Sequence, residues 1–479
     1  MKKFLALVSV LFITAPLLAR HEVYSRSFMF PKPGYYSIVT QQALWHDIVY
    51  NKKGTLLGGI QVTPFYQPSM GLKKSTRYFL FDKKNELVVA GDNTPFKNAL
   101  GTPIRDVRAE WLGLSSEFRG VLTVDPKQQQ GGVVLEYSQD LKKWFDVPIL
   151  RDWYINITAP IVHVHNNMHL TQTNIVNTNP NPLPAPQNII EAFDQPSWHW
   201  GKIHNGHSRT ELAEFRLVLG SSYASENNFQ LNYDAILVIP FAKKQRAEYL
   251  FSPLVGNNHH MGVGGGVNFQ IPLSRSESDY SNSFILDLES VILIRNKQHR
   301  TFDLRGKPWS RFLLMNTLGA QPNTNIPGVN LMTYKATIKP FNMVDFAMGW
   351  RFKSPWLEFE TGWGVWGHGY ERVEHLKNIN GFVPFGIAGT SPGTTAHNST
   401  IGQQAPNDPY FVPITLGDID EHSASNAGAL NFRVFFSGGM IRKGEKADSV
   451  FGAGWSIDLP YKNSALQVWN AWIKLGITF

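Results

Sequence analysis

The sequence predicts an all-β chain folded as a transmembrane antiparallel β-barrel of about 16 strands, with 14 to 18 admissible, and with long loops on one side and short turns on the other. Three observations predict it. Stretch after stretch alternates with a period of two, with Trp, Phe and Leu in one register and Gly, Asn, Gln, Ser and isolated charges in the other. The wet face of a soluble β-sandwich strand is instead rich in Lys, Glu and Thr. The long connections between these stretches all fall on one side of the sheet. The chain of 479 residues has no cysteine, which excludes disulfides, thiolate metal sites and thiol nucleophiles. An exported chain of this size must then gain its stability by closing a sheet or building a large core.

Export is read from the first residues. Met1, Lys2 and Lys3 form a positive n-region, and Phe4 to Leu18 is an apolar run broken only by Ser9, Thr14 and Pro16. This is the pattern of a secretory signal peptide, residues 1–19, cleaved after Ala19. Residues 20–54 follow as a short lead-in without a clear period, and the barrel occupies 55–479. No plug-sized domain precedes Thr55, so an energy-coupled transporter is not expected. Nowhere do 18 apolar residues run uninterrupted, which excludes helical spanning. A mean hydropathy of −0.21 with 17% charged residues excludes both a helical membrane protein and a disordered chain.

Strands are expected near 55–66, 107–114, 117–125, 131–139, 152–164, 209–221, 228–242, 260–273, 283–296, 309–317, 330–340, 343–353, 356–367, 427–441, 447–459 and 464–479. In one, Phe432, Val434 and Phe436 oppose Asn431, Arg433 and Ser437. In another, Val344, Phe346, Met348 and Trp350 oppose Asp345, Gly349 and Arg351. An even number puts both ends on one side. The connections 67–106, 165–208, 243–259, 297–308 and 368–426 then lie opposite, while turns such as Lys353-Ser354-Pro355 stay short. Asn177 to Pro186 and Ala388 to Asn407 read as irregular exposed loop.

The last stretch, Ala465 to Phe479, is the longest alternating one. Phe479, Ile477, Leu475 and Ile473 share one face, and Thr478, Gly476 and Lys474 share the other. A secreted β-sandwich could end on such a strand, but the apolar-out pattern of the rest favours the barrel. Lys474, Gly476 and Phe479 make a polar–x–Gly–x–x–aromatic ending that resembles the C-terminal strand by which Gram-negative outer-membrane β-barrels are recognised for assembly. The resemblance implies residence in the bacterial cell outer membrane, with its lipid and the barrel-assembly machinery as partners. In architecture the chain is similar to the porins, which implies a homo-trimer and a third outer loop folded into the pore.

An aqueous lumen would be lined by the charges of the polar register: Glu214, Arg216, Asp234, Asp287, Glu289, Asp345, Arg351, Glu358, Glu360, Arg433 and Lys474. Such charges either set ion selectivity or pair across neighbouring strands, and one residue can do both. The porin similarity makes 165–208 the constriction loop, with Glu191 and Asp194, followed by Trp198, His199, Trp200 and Lys202, its acidic residues facing Arg351 or Arg433; the family's acidic motif is not visible in Pro182 to Phe193, and an ordinary surface loop is the alternative. His163, His165 and His169, then His199, His204 and His207, and the pair His259-His260 are spaced for a metal, but no carboxylate triplet sharpens them, so no metal and no cofactor is expected. Glu371, Glu374 and His375, or Ser208 beside His207, resemble rim-site catalytic groups, yet no catalytic motif accompanies them and no enzyme is expected. The basic excess is spread out, so nucleic acid is not a partner. The reading is a passive diffusion channel for ions or small hydrophilic solutes. Its alternatives are a plugged barrel presenting surface loops as an adhesin or structural surface protein, and a rim-site hydrolase.

Overall fold

The alternating stretches close into a single barrel of 12 strands rather than about 16. The computed structural model describes residues 22–45, 58–71, 73–141, 152–224, 229–273, 280–317, 325–379, 381, 384–387, 400–403 and 413–479. The signal-peptide reading lies outside them. The wall strands are β1 (Gly58–Pro68), β2 (Lys127–Asp140), β3 (Trp153–Asn167), β4 (Glu214–Ala224), β5 (Gln230–Pro240) and β6 (Gly262–Pro272). The remaining six are β7 (Ser281–Leu293), β8 (Asn342–Lys353), β9 (Leu357–His368), β10 (Ala429–Arg442), β11 (Ser449–Pro460) and β12 (Val468–Thr478). Each pairs antiparallel with its neighbour in sequence. The last pairs with the first through Gly59 and Thr478, Val62 and Leu475, and Tyr66 and Ala471, so no edge is left open. One further strand, Gly206–Leu212, lies outside the ring and pairs with the outer half of β3.

Four expected strands belong elsewhere. Residues 107–114 and 309–317 each hold a short strand and a turn of 3-10 helix, and 117–125 and 330–340 hold strands of other sheets. Both excess pairs were even in number, so the sidedness of the loops survives the recount. The outer connections are 69–126, 168–213, 241–261, 294–341, 369–428 and 461–467.

Wall orientation follows the two registers. On β10, Phe432, Val434 and Phe436 are 45%, 53% and 52% exposed, while Asn431, Arg433 and Ser437 are at most 1%. Ile473, Leu475 and Ile477 of β12 face out in the same way, and Lys474 between them is buried. An apolar exterior on a closed sheet satisfies every backbone group within the wall, as a bilayer demands. Among the described residues no helix is long and apolar enough to cross a membrane. The chain folds as a closed antiparallel β-barrel with the apolar-out, polar-in wall of the transmembrane type.

The outer connections do not splay as separate loops. They fold into one cap containing a four-stranded sheet (107–108, 86–90, 119–123, 171–176) and a three-stranded sheet (296–301, 333–339, 372–378). Its core draws Phe79, Trp111, Phe193, Trp198, Trp309 and Phe312 from three of the connections. Trp198 stacks on Phe312 at 5.3 Å, and Phe193 meets Trp309 edge-on at 5.8 Å.

One buried joint of the cap is expected to respond to pH. His260 is buried where connection 241–261 returns to β6. Gln298 Oε1 accepts from Asn258 Nδ2 (2.7 Å), so its Nε2 must donate, here to His260 Nε2 (2.8 Å). That leaves His260 Nδ1–H to donate to the Ile294 carbonyl (2.7 Å), the neutral tautomer. Burial pushes the pKa below the ordinary histidine value; the Ile294 bond and Glu371 oppose this, and Arg300 and Lys244 add to it. The unfolded chain takes up a proton near pH 6.5 and the folded chain does not, so stability is present above that pH and lost as pH falls below it. Amide exchange at 257–262 and 294–298 is therefore expected to rise between pH 7.5 and 5, and His260→Gln should remove the dependence.

Candidate functional site

The lumen is filled by the segment expected to be a lead-in. Residues 22–45 start in the cap, where Val23 N donates to Asn463 Oδ1 (2.6 Å) and Arg26 N to the Tyr78 carbonyl (2.9 Å). Pro31 and Pro33 hold the next turns extended, because proline fixes its own φ and keeps the preceding residue out of the helical region. An extended strap is narrow enough to thread a barrel. Past Gly34 the chain winds into one short helix, Ile38–Gln42, and Leu44 and Trp45 then pack near the end of the wall away from the cap.

Each part of this strap is gripped by the polar register of the wall. Lys32, 4% exposed, reaches Asp458 at 2.9 Å. The Lys32 carbonyl accepts from Gln67 (3.1 Å) and Gln130 (3.0 Å), and the Gly34 carbonyl from Asn470 (3.0 Å). Asp345 accepts from Ile38 N at 3.1 Å. Lys474 donates to the carbonyls of Gln41 (2.8 Å) and Ala43. Leu44 and Trp45 lie on glycines of the wall: a Cβ at Gly452 would collide with Leu44, and one at Gly476 with Trp45. The outer mouth above is stoppered by an apolar group that includes Phe28, Phe30, Leu254, Val255 and Phe341.

All but one of the predicted lumen charges are buried, and Asp234 is half-buried. Arg433 bridges Asp345 (3.0 Å) and Asp458 (3.2 Å), so two wall carboxylates and two cations, Arg433 and Lys32, form one cluster around the strap. Arg216 pairs with Glu289 and lies 5.3 Å from the Tyr36 ring. Arg351 binds both oxygens of Glu358 at 2.8 Å, with Glu360 at 3.6 Å. Asp234 accepts from Tyr154, Asp287 from Asn268, and Glu214 from Asn257 at 2.7 Å. These charges are committed to one another and to the strap.

The constriction loop is not where it was expected. Glu191 holds a helix N-terminus of the cap through Gln187 N (2.8 Å) and Asn188. Asp194 lies 3.8 Å from both Lys202 and His204, Trp198 is buried in the cap core, His199 N donates to Asn330, and Trp200 meets His299. None of these contacts the lumen charges. The strands within 107–125 belong to the cap sheet and not to the wall, so the third outer connection is 241–261. That connection does enter the mouth, placing Leu254 and Val255 beside the strap and Asn257 on Glu214.

Of the proposed assembly residues, Lys474 and Gly476 face inward and seat the strap, while Phe479 closes the strand end by exchanging backbone bonds with Gly58 (3.0 Å each). His163 and His165 pair with Thr210 and Ser208 (2.7 Å each) on the neighbouring strand, and among the described residues no group of three or more His, Asp or Glu is arranged to hold a metal. Glu371 is buried against Arg300 at 3.2 Å. Lys32, Asp458, Gln130, Asn470 and Trp45 were missed as site residues. Asp458 continues the polar register of Ser456, and the lone Lys32 between two prolines in an otherwise apolar run was the available sign of a threaded segment.

No family model and no curated protein matches the sequence. Among solved structures, an outer membrane channel from Pseudomonas putida F1 is similar at 10% identity and a TM-score of 0.41, over 89% of this chain and 97% of that one. A Pseudomonas aeruginosa FadL homologue gives 8% and 0.29, covering 97% of each chain. The CymD monoaromatic hydrocarbon channel gives 8% and 0.28, over 93% of this chain and 94% of that one. These likenesses are too distant to carry a substrate to this chain.

Proposed function

We propose that this protein is an outer-membrane channel held closed by its own N-terminal strap, and that it passes small hydrophilic solutes or ions when the strap leaves the lumen. One observation carries the reading: a single segment, 22–45, fills the bore and is held there by hydrogen bonds and ion pairs from side chains of the wall, outside the ring of strand pairings. A barrel of 8 strands is filled by its own side chains, whereas 16 to 18 strands leave an aqueous channel. Twelve strands fall between, so one threaded strap is enough to close the bore. Removing it uncovers Gln, Asn, Asp, Glu and Arg, a wall suited to hydrated solutes. A standing open porin is not favoured, because the charges expected to line its pore are buried.

A second reading has its own support. The cap has an apolar core of its own, which suits a plugged barrel that displays a folded surface domain. Planar-bilayer recording separates the two. Salt-proportional steps from a chain lacking 22–45, beside silence or rare openings from the intact chain, support the gated channel. Silence from both, each shown to be folded, leaves the display reading.

A further inference from the structure

The cap carries an open cleft whose charge is unbalanced. Connection 241–261, strand 206–212 and the sheet of 296–301 and 333–339 enclose about 910 Å3. A second hollow of about 810 Å3 continues across that sheet, and Lys297, His299 and Lys335 line both. Arg209, Lys243, Lys244, Arg246, Lys297 and Lys335 line the first, and Lys377 the second, against one lining carboxylate, Glu248. Arg209 is answered by Glu211 at 3.0 Å. Among the described residues none of the other six cations forms an ion pair.

The strand register sharpens this. His299 stands opposite Lys335, and Lys335 opposite Lys377, so basic groups lie side by side across all three strands of the sheet. Alternation puts Gln298, Arg300, Tyr334 and Ala336 into the cap and leaves Lys297 and Lys335 exposed. Like charges directly opposite destabilise a sheet, and an anion seated over them would relieve the repulsion. His299 reports the same field: burial first, then Lys335 and Arg246, push its pKa below the ordinary value. Tyr249 in the first hollow and Trp200 in the second, the latter 5.6 Å from His299, offer flat apolar faces beside the charges.

A cleft of this size is far larger than a bare phosphate and lies in the range of drug-sized or oligosaccharide ligands. We propose that it binds a phosphorylated saccharide, with phosphoryl groups on Lys297, Lys335 and Lys377 and sugar rings against Tyr249 and Trp200. Two sources present that chemistry at an outer-membrane surface: the glycolipid of the outer leaflet and a free sugar phosphate. The site does not depend on what the strap does.

The test uses the full chain in detergent, with retained heat-modifiable migration on gels as the check of folding. Phosphorylated lipopolysaccharide, the same material dephosphorylated, and glucose 1,6-bisphosphate are titrated against the wild type and against Lys297→Gln/Lys335→Gln, whose altered side chains are exposed. Phosphorylated probe should bind, and either dephosphorylation or the double substitution should weaken it by about tenfold or more, with strong salt dependence. Tight binding of lipopolysaccharide alone assigns the glycolipid, and comparable binding of the bisphosphate assigns the free solute. Absence of binding by every probe overturns the proposal, as does binding that neither change weakens.

Discussion

In a planar bilayer, the chain lacking residues 22–45 is expected to conduct in discrete, salt-proportional steps with a reversal potential on the cation-selective side. The strap takes no part in the ring of strand pairings, since β1 and β12 close on each other directly. The barrel can therefore form without it. With the strap gone, carboxylates outnumber cations on the inward register: Glu136, Glu214, Asp234, Asp287, Glu289, Asp345, Glu358, Glu360 and Asp458 stand against Arg216, Arg351, Arg433 and Lys474. A wall of one predominant sign concentrates counter-ions and selects for them. Gly452→Leu provides a second route that keeps the full chain. The added side chain occupies the place of Leu44 and should unseat the lower end of the strap, giving frequent openings without abolishing closure. If the deletion and Gly452→Leu both stay silent while migrating as folded barrels, the lumen is closed by something other than the strap.

Replacing Arg433 with methionine is expected to be the most damaging single change. Arg433 is 1% exposed and holds Asp345 and Asp458 together, with Lys32 on the far side of Asp458. Its loss leaves two buried carboxylates sharing one cation. Removing one partner of a buried pair costs about 3–5 kcal/mol, chiefly because the charge left behind is uncompensated. The urea midpoint and the temperature of conversion to the slow-migrating form should both fall well below wild type. The double variant Arg433→Met/Asp345→Asn should recover part of the loss, because one orphaned charge goes with the second substitution. Protease accessibility of residues 28–45 should rise in the single variant, since Asp345 also holds Ile38 N and Asp458 also holds Lys32. Stability equal to wild type in both variants would mean that water reaches the cluster and screens it.

Much of this fold was readable from local pattern. Phe432, Val434 and Phe436 against Asn431, Arg433 and Ser437 assign the two faces of β10 without reference to any other strand, because a period of two has only two outcomes. The strand count was not readable in the same way. Residues 117–125 and 330–340 alternate as a wall strand does, yet Leu122 and Ile338 are fully buried in the cap and face no lipid. A half-buried strand of a soluble-type sheet and one of a membrane wall share the same periodicity. What separates them is the environment opposite, which lies far away in sequence.

The site divides along the same line. By itself the sequence determined that the wall is apolar outside and polar inside, and which charges point inward, since alternation depends only on backbone geometry and adjacent residues. Whether that interior is open depended on where residues 22–45 run; Lys32 between two prolines hints at a threaded segment, but no local pattern says which wall residues it will meet. Lys32 meets Asp458, and Trp45 rests on Gly476, more than four hundred residues away along the chain. Such pairings exist only once the ring has closed, so tertiary structure alone decided that the lumen is filled and that its charges hold a strap.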